Sequence, residues 1–259
     1  MGDRQARGTD WRRLAIYFGL LVGIGLLVHL LYIGHIRPTA DALIDAARAA
    51  GTSAPRSPYV VLRDGEQEIC IILFLWSFVL TIWRLMELSA QWDYFDALAT
   101  TPSETLAQSA AAANHPLIKA VTDSMTLGKG GDIHKAREAA HMHLETFGRT
   151  LEASNSLFRY VIWAVPSIGF VGTVRGIGSA LGEADKALAG DIASMTANLG
   201  VAFNSTLVAL VLSLALMLFM HVLEGTQDKL IIDIEAECEE RIRAAARKAD
   251  PATGEVAAA

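Results

Sequence analysis

Four long apolar stretches dominate this chain, and between them polar and apolar positions alternate at helical spacing. One crossing of the hydrocarbon core takes about 20 apolar residues in a helix. Leu14 to Ile33 carries no formal charge and meets that length alone. Ile69 to Trp83 is uncharged but short, and completes a span if Arg84 snorkels to the interface. Tyr160 to Val174 is uncharged, and its apolar pattern continues past Arg175 to Gly182. Ile192 to Leu223 also lacks formal charge, and at ~1.5 Å per residue it projects beyond the core. No segment shows the two-residue period of a strand. The pattern therefore predicts an all-α polytopic membrane protein with four transmembrane helices. The first run is too long for a signal-peptide core, and no A-x-A-like site follows it, so it reads as a retained anchor.

This division yields six segments. Residues 1–34 hold an N-terminal tail and span one, 35–67 an outer, periplasmic loop, and 68–88 span two. Residues 89–155 form a helical region on the inner side, 156–223 hold spans three and four, and 224–259 form a helix with a disordered tail. Within the outer loop, Asp41 to Ala50 has a helical pattern that Pro55 and Pro58 end. Pro102 and Pro116 each start a helix in the inner region, and Gly128-Lys-Gly-Gly131 makes a turn. A further helix from about Asp132 is expected to run unbroken into span three. After span four, Leu230, Ile231, Ile234, Cys238 and Ile242 recur at helical spacing, and Pro251 ends that helix.

Composition agrees: 52% of the 259 residues are hydrophobic, with a mean hydropathy of +0.34. Lysine and arginine set the orientation. With the N-terminus inside, 16 of the 22 basic residues fall on inner segments, five fall on the outer loops, and Arg175 lies within a span. Both termini are therefore expected in the cytoplasm. A net charge of −6 argues against nucleic acid as a partner. Cys70 and Cys238 fall on opposite sides of the membrane and cannot pair within one chain.

The candidate chemistry lies in spans three and four. Thr173 lies nine residues below Gly182, roughly 14 Å from the outer end of span three. Thr206 lies eleven residues below Met195, roughly 16 Å from the outer start of span four. Antiparallel neighbours bring the two hydroxyls level, and Asn204 and Ser205 thicken the polar band. Such hydroxyls can line an ion path, or they can act as glue between helices. Gly172-Thr-Val-Arg-Gly176, Gly178-Ser-Ala-Leu-Gly182 and Gly19-Leu-Leu-Val-Gly23 are small-xxx-small faces that permit close helix approach. Pro166 is expected to kink span three and free a carbonyl. Arg175 can snorkel to the outer interface, with Glu183 or Asp185 as its neutralising partner. His29 and His221 lie near span ends, as interfacial residues do. His134, Glu138, His141 and Glu145 share one helix stripe that could hold a metal, although a solvated face with helix ion pairs accounts for them more simply. No catalytic motif is present, and no metal or cofactor is expected.

Two of these segments resemble the MotA/TolQ/ExbB proton-channel family. The resemblance rests on Pro166 with Gly169-Phe-Val-Gly-Thr-Val-Arg-Gly-Ile177 in span three and on Ala202-Phe-Asn-Ser-Thr-Leu-Val-Ala209 in span four, within roughly Ala153 to Glu240. It implies helix packing through Gly169, Gly172, Gly176 and Pro166, and an ion pathway past Thr173, Thr206, Ser205 and Asn204. It further implies a homopentamer in the bacterial inner membrane. Its third and fourth spans would surround a dimeric single-span partner of the MotB/TolR/ExbD type, which carries the membrane Asp. The chain departs from the family pattern in three places. Arg175 stands where an aromatic residue is common, no acidic residue precedes the fourth-span threonine, and no proline follows it. Spans three and four themselves hold hydroxyls and an amide but no carboxylate. The alternative reading is a non-conducting membrane scaffold or signalling protein.

Overall fold

The computed structural model describes residues 2–50, 52, 55–100, 133–190 and 192–249. Among the described residues no strand occurs. Helix α1 (Gly2–Leu31) passes through a π-helical turn (Tyr32–Ile36) into α2 (Arg37–Ala49). A short α3 (Pro58–Val61) precedes the long α4 (Gly65–Thr100). Then come α5 (Ile133–Ser154), α6 (Ser156–Gly182), a short α7 (Ala184–Leu188) and α8 (Ala193–Ala249). Four stretches are long and apolar enough to cross a membrane, within Trp11–Ala49, Gly65–Asp93, Ile133–Gly182 and Ala193–Ala244. They are spans one to four. The helix starts read at Pro102 and Pro116, the turn at Gly128–Gly131 and the stop at Pro251 lie outside the described residues.

The chain divides into two compact units, Met1–Ile82 with Leu157–Met220, and Trp83–Ser156 with His221–Ala259. The first unit contains the apolar portions of the four spans. Its central contact joins α6 to α8. The buried positions of α6 are Phe158, Val161, Val165, Gly169, Gly172, Gly176 and Ala180, a row at three- and four-residue steps. Opposite them stand Ala202, Ser205 and Ala209. The two backbones approach so closely that a methyl group added at Gly172 would lie 2.5 Å from Ser205 Cβ. One added at Gly176 would lie 2.7 Å from the Ala202 nitrogen and 2.8 Å from the Asn198 carbonyl. Only glycine fits there. The other two small-xxx-small faces behave differently. A methyl at Gly178, Gly182, Gly19 or Gly23 would meet nothing within 4 Å.

Pro166 lies inside α6 and has no N–H to give the Ile162 carbonyl four residues back. Ser213 of α8 supplies the missing donor at 3.3 Å. Span one packs through Val28, Tyr32 and Ile36 onto Ile71, Ile72 and Leu75 of span two. Trp76 of span two donates its indole N–H to the Tyr17 carbonyl at 3.0 Å. The segment from His35, read from sequence as the start of a loop, is helical to Ala49. Pro38 explains the π turn ahead of it: a widened turn, with Arg37 N–H bonded to the Tyr32 carbonyl, accommodates a residue that cannot donate.

The second unit is a separate core. Leu88 and Phe95 of α4 pack with Ala136, Ala140, Leu144 and Phe147 of α5, and with Leu230, Ile234, Cys238 and Ile242 of α8. Arg137 and Glu239 form a bidentate pair between α5 and α8, with Nε at 2.9 Å from Oε2. The histidine stripe of α5 borders this face: His141 lies 3.7 Å from Glu235, and Glu145 pairs with Arg149. The helix expected to run unbroken into span three is interrupted at one residue, Asn155. Its backbone N–H turns to the Glu152 carbonyl at 3.1 Å, and its side chain forms a buried amide pair with Gln227 at 2.7 and 3.4 Å.

The glycine seam sets a stability contrast. Gly176→Ala is expected to destabilise the chain by roughly 1–3 kcal/mol, the usual cost of overpacking. Gly178→Ala should stay within about 0.5 kcal/mol of wild type. Tryptophan fluorescence during detergent-driven unfolding measures both; equal effects would show that the seam does not constrain α6 against α8.

Candidate ion pathway

Thr173 is carried by α6 and Thr206 by α8, and the glycine seam between them sets their separation. Their hydroxyls meet in a direct hydrogen bond. Each is also within reach of two carbonyls. Thr173 Oγ1 lies 3.2 Å from both the Gly169 and Ala202 oxygens. Thr206 Oγ1 lies 3.3 Å from the Gly169 oxygen and 3.5 Å from that of Ala202. The cluster is therefore symmetrical: each hydroxyl faces the carbonyl one turn back on its own helix and the equivalent carbonyl across the seam. Two hydroxyl protons serve more acceptors than they can satisfy together, so the donor direction can switch without moving a heavy atom. Both threonines are half-buried in the single chain.

Ser205 and Asn204 do not join this pair. Ser205 is 1% exposed and turns towards span two. Its hydroxyl donates to the Val201 carbonyl at 2.9 Å and accepts from Gln67 Nε2 at 3.2 Å. Asn204 is half-buried and makes none of these contacts. Gly172 lies against both Ser205 and Glu66, so the floor of the polar band is formed by span two as well as by spans three and four.

Sequence reasoning missed that contribution. Glu66 and Gln67 read as the end of the outer loop, and Glu68 as the first residue of span two. The structure places them in the first turns of α4, where acidic residues suit the positive end of the helix dipole. Arg175 does not pair with Glu183 or Asp185. It binds Glu66, with Nε to Oε1 at 2.6 Å and Nη2 to Oε2 at 2.8 Å, and lies 3.5 Å from Asp64. Lys186 and Ser194 take Glu183 instead. Glu68 accepts from Arg37 Nη2 at 2.6 Å and meets His29 Nδ1 at 2.6 Å. His29 is thus a partner of Glu68 rather than a free interfacial residue, while His221 lies in the second unit beside Trp92 and Lys229. The absence of a carboxylate from spans three and four holds, yet span two brings Glu66 to the edge of the band.

Residues 109–236, just under half of the chain, match the family described as the MotA/TolQ/ExbB proton channel family. The likeness carried by Gly169 to Ile177 and Ala202 to Ala209 therefore stands, over a longer stretch than those motifs. No curated protein and no solved structure matches the chain.

The Glu66–Arg175 pair can be tested by a double-mutant cycle. Arg175→Met leaves Glu66 beside Asp64 with no cation, and Glu66→Gln should relieve part of that cost. A coupling of roughly 1–2 kcal/mol is expected, between surface and fully buried ion pairs. Additive single effects in the same unfolding assay would show that the pair is incidental.

Proposed function

We propose that this chain is the channel-forming subunit of a stator-like complex in the bacterial inner membrane, coupling proton or sodium flow to mechanical work on a partner. The observation that carries the reading is the threonine pair, level and hydrogen-bonded at a seam where only glycine fits, within the stretch that matches the channel family. In this proposal both termini lie in the cytoplasm. Five copies surround a dimeric single-span partner of the MotB/TolR/ExbD type, with spans three and four innermost. The partner supplies the membrane aspartate. Threonine hydroxyls relay a proton or coordinate an ion, but they do not store a proton near neutral pH. Glu66, the carboxylate that span two brings against Gly172, is already held by a guanidinium. One charge crossing 100 mV releases ~2.3 kcal/mol, so several coupled crossings are needed for a useful stroke.

The exposed surface of the four spans fits both lipid and neighbouring copies. Trp163, Phe170, Val174, Leu207 and Leu214 are all exposed on the single chain. In the scaffold reading the same surface serves assembly and the threonines act only as helix glue. Ion flux separates the two.

Three outcomes are expected. Native mass spectrometry of the chain in detergent should give five copies; a stable monomer or dimer would refute the assembly. Liposomes holding the chain alone should stay tight to protons and sodium under an imposed potential, and adding the single-span partner should open a leak. Thr173→Val and Thr206→Val should each cut that leak by about tenfold or more while leaving the assembly intact, as loss of one relay or coordinating group does. Undiminished flux in both variants would leave the threonines as glue.

A further inference from the structure

The second unit carries an open cleft of about 670 Å³ between α4 and α8. Ser89, Trp92 and Asp93 of α4 line it, with Gly225, Thr226 and Lys229 of α8, at three- and four-residue steps that put each set on one helix face. Gly225 keeps the cleft open, because a methyl group there would meet nothing within 4 Å. Its depth follows from the apolar runs, which end at Trp83 and Leu223. Ser89 and Lys229 each lie six residues further on, about 9 Å along their helices. Lipid headgroups occupy a layer roughly 5–8 Å thick beyond the hydrocarbon, and a lysine stem reaches back into it. Towards the membrane, Met86 and Trp83 continue the face of Ser89 as exposed apolar surface.

The hydrogen-bonding groups of the cleft divide by sign. Ser89 donates its hydroxyl proton to the Met86 carbonyl at 2.8 Å, and Thr226 donates to the Val222 carbonyl at 2.7 Å. With their protons spent, both hydroxyls offer the cleft lone pairs only. Asp93 adds a carboxylate. Lys229 is the cation, its ammonium 5.8 Å from the centre of the Trp92 ring. Among the described residues, neither Lys229 nor Asp93 has an ion-pair partner. Other charged side chains of the unit do pair: Arg84 with Glu87, Arg137 with Glu239, and Arg241 with Glu237. One cation and one carboxylate thus share a cleft without neutralising each other.

The complement of this set is a zwitterion. Lys229 calls for an anion, while Asp93, Ser89 and Thr226 call for a cation that carries N–H donors. A phosphate joined to a primary ammonium meets both demands. A quaternary ammonium has no N–H to give, and the aromatic face it favours, that of Trp92, already carries Lys229. A headgroup with hydroxyls alone leaves Asp93 without a counter-charge. We propose that this cleft binds the phosphoethanolamine headgroup of a membrane phospholipid, with the phosphate on Lys229, the ammonium on Asp93, Ser89 and Thr226, and the acyl chains along Met86 and Trp83. The site goes beyond the channel reading and does not depend on it, requiring only that spans two and four cross a bilayer.

Native mass spectrometry of the full chain tests this. The chain is released from nanodiscs holding equal amounts of phosphatidylethanolamine, phosphatidylglycerol and phosphatidylcholine with identical acyl chains. Phosphatidylethanolamine should be retained about tenfold over the other two, the effect of one charge-assisted hydrogen bond. Asp93→Asn should remove that preference, and Lys229→Gln should lower retention of all three lipids alike. Gly225→Leu places a side chain where there is room for one, so it should displace the lipid and leave the unfolding midpoint where a surface substitution leaves it. Free phosphoethanolamine in excess should not compete, because it lacks acyl chains. Equal retention of the three lipids by wild type, no retained lipid at all, or a wild-type pattern in any of the three variants would overturn the proposal. Displacement by free phosphoethanolamine or inorganic phosphate would make the cleft a site for a soluble ligand and overturn the lipid assignment.

Discussion

Three consecutive side chains at the start of α4 fasten span two to each of the other spans. Glu66 holds Arg175 of span three, Gln67 holds Ser205 of span four, and Glu68 holds His29 of α1 and Arg37 of α2. Successive residues on a helix point about 100° apart, so three in a row sweep most of its circumference. The arrangement works only for a helix surrounded on three sides. It matters because lipid tails are as apolar as leucine and give helices little reason to prefer each other. The polar turn therefore fixes the register that apolar faces leave loose. Phe78 and Phe219, with ring centres 5.1 Å apart, add an apolar contact between spans two and four.

The glycine seam is the second constraint, and it fixes the threonines. Backbone contact at Gly172 and Gly176 brings the two hydroxyls within bonding distance and presents two carbonyls to them. The same geometry would serve glue or relay, because both need a short, dry hydroxyl pair. Thr206 also stands one position from Ser205, which is tied to the polar turn of span two.

Much of this was legible in the sequence. Uncharged runs of membrane length gave the four spans, because about 20 apolar residues without a charge match the thickness of a bilayer and exceed what a soluble core helix needs. Depth arithmetic along two antiparallel helices put Thr173 and Thr206 level. The remainder was hidden for physical reasons. Arg175 and Glu66 are 109 residues apart, and no local pattern pairs them. Glu66 and Gln67 read as loop because the apolar run starts only at Ile69, while the helix itself starts at Gly65. Gly172-Thr-Val-Arg-Gly176 and Gly178-Ser-Ala-Leu-Gly182 are the same pattern, yet only the first packs against a helix of its own chain. Small residues permit an approach; they do not name the partner. Asn155 shows a similar limit, since its buried amide pair with Gln227 is formed across 72 residues.

The spacing of the seam has a mechanical corollary. Gly169, Gly172 and Gly176 oppose Ala209, Ser205 and Ala202 in turn. Sliding α6 past α8 by one helical turn, about 5.4 Å, would set Gly172 opposite Ala209, Gly176 opposite Ser205 and Ala180 opposite Ala202. Ala180 would then carry its methyl into the place against Ala202 where only glycine fits, so that register is closed. Intermediate offsets would drive backbone against backbone, because no flexible side chain lies between to absorb the mismatch. The two helices thus behave as a keyed joint with one seating, so any movement of one must carry the other along with it.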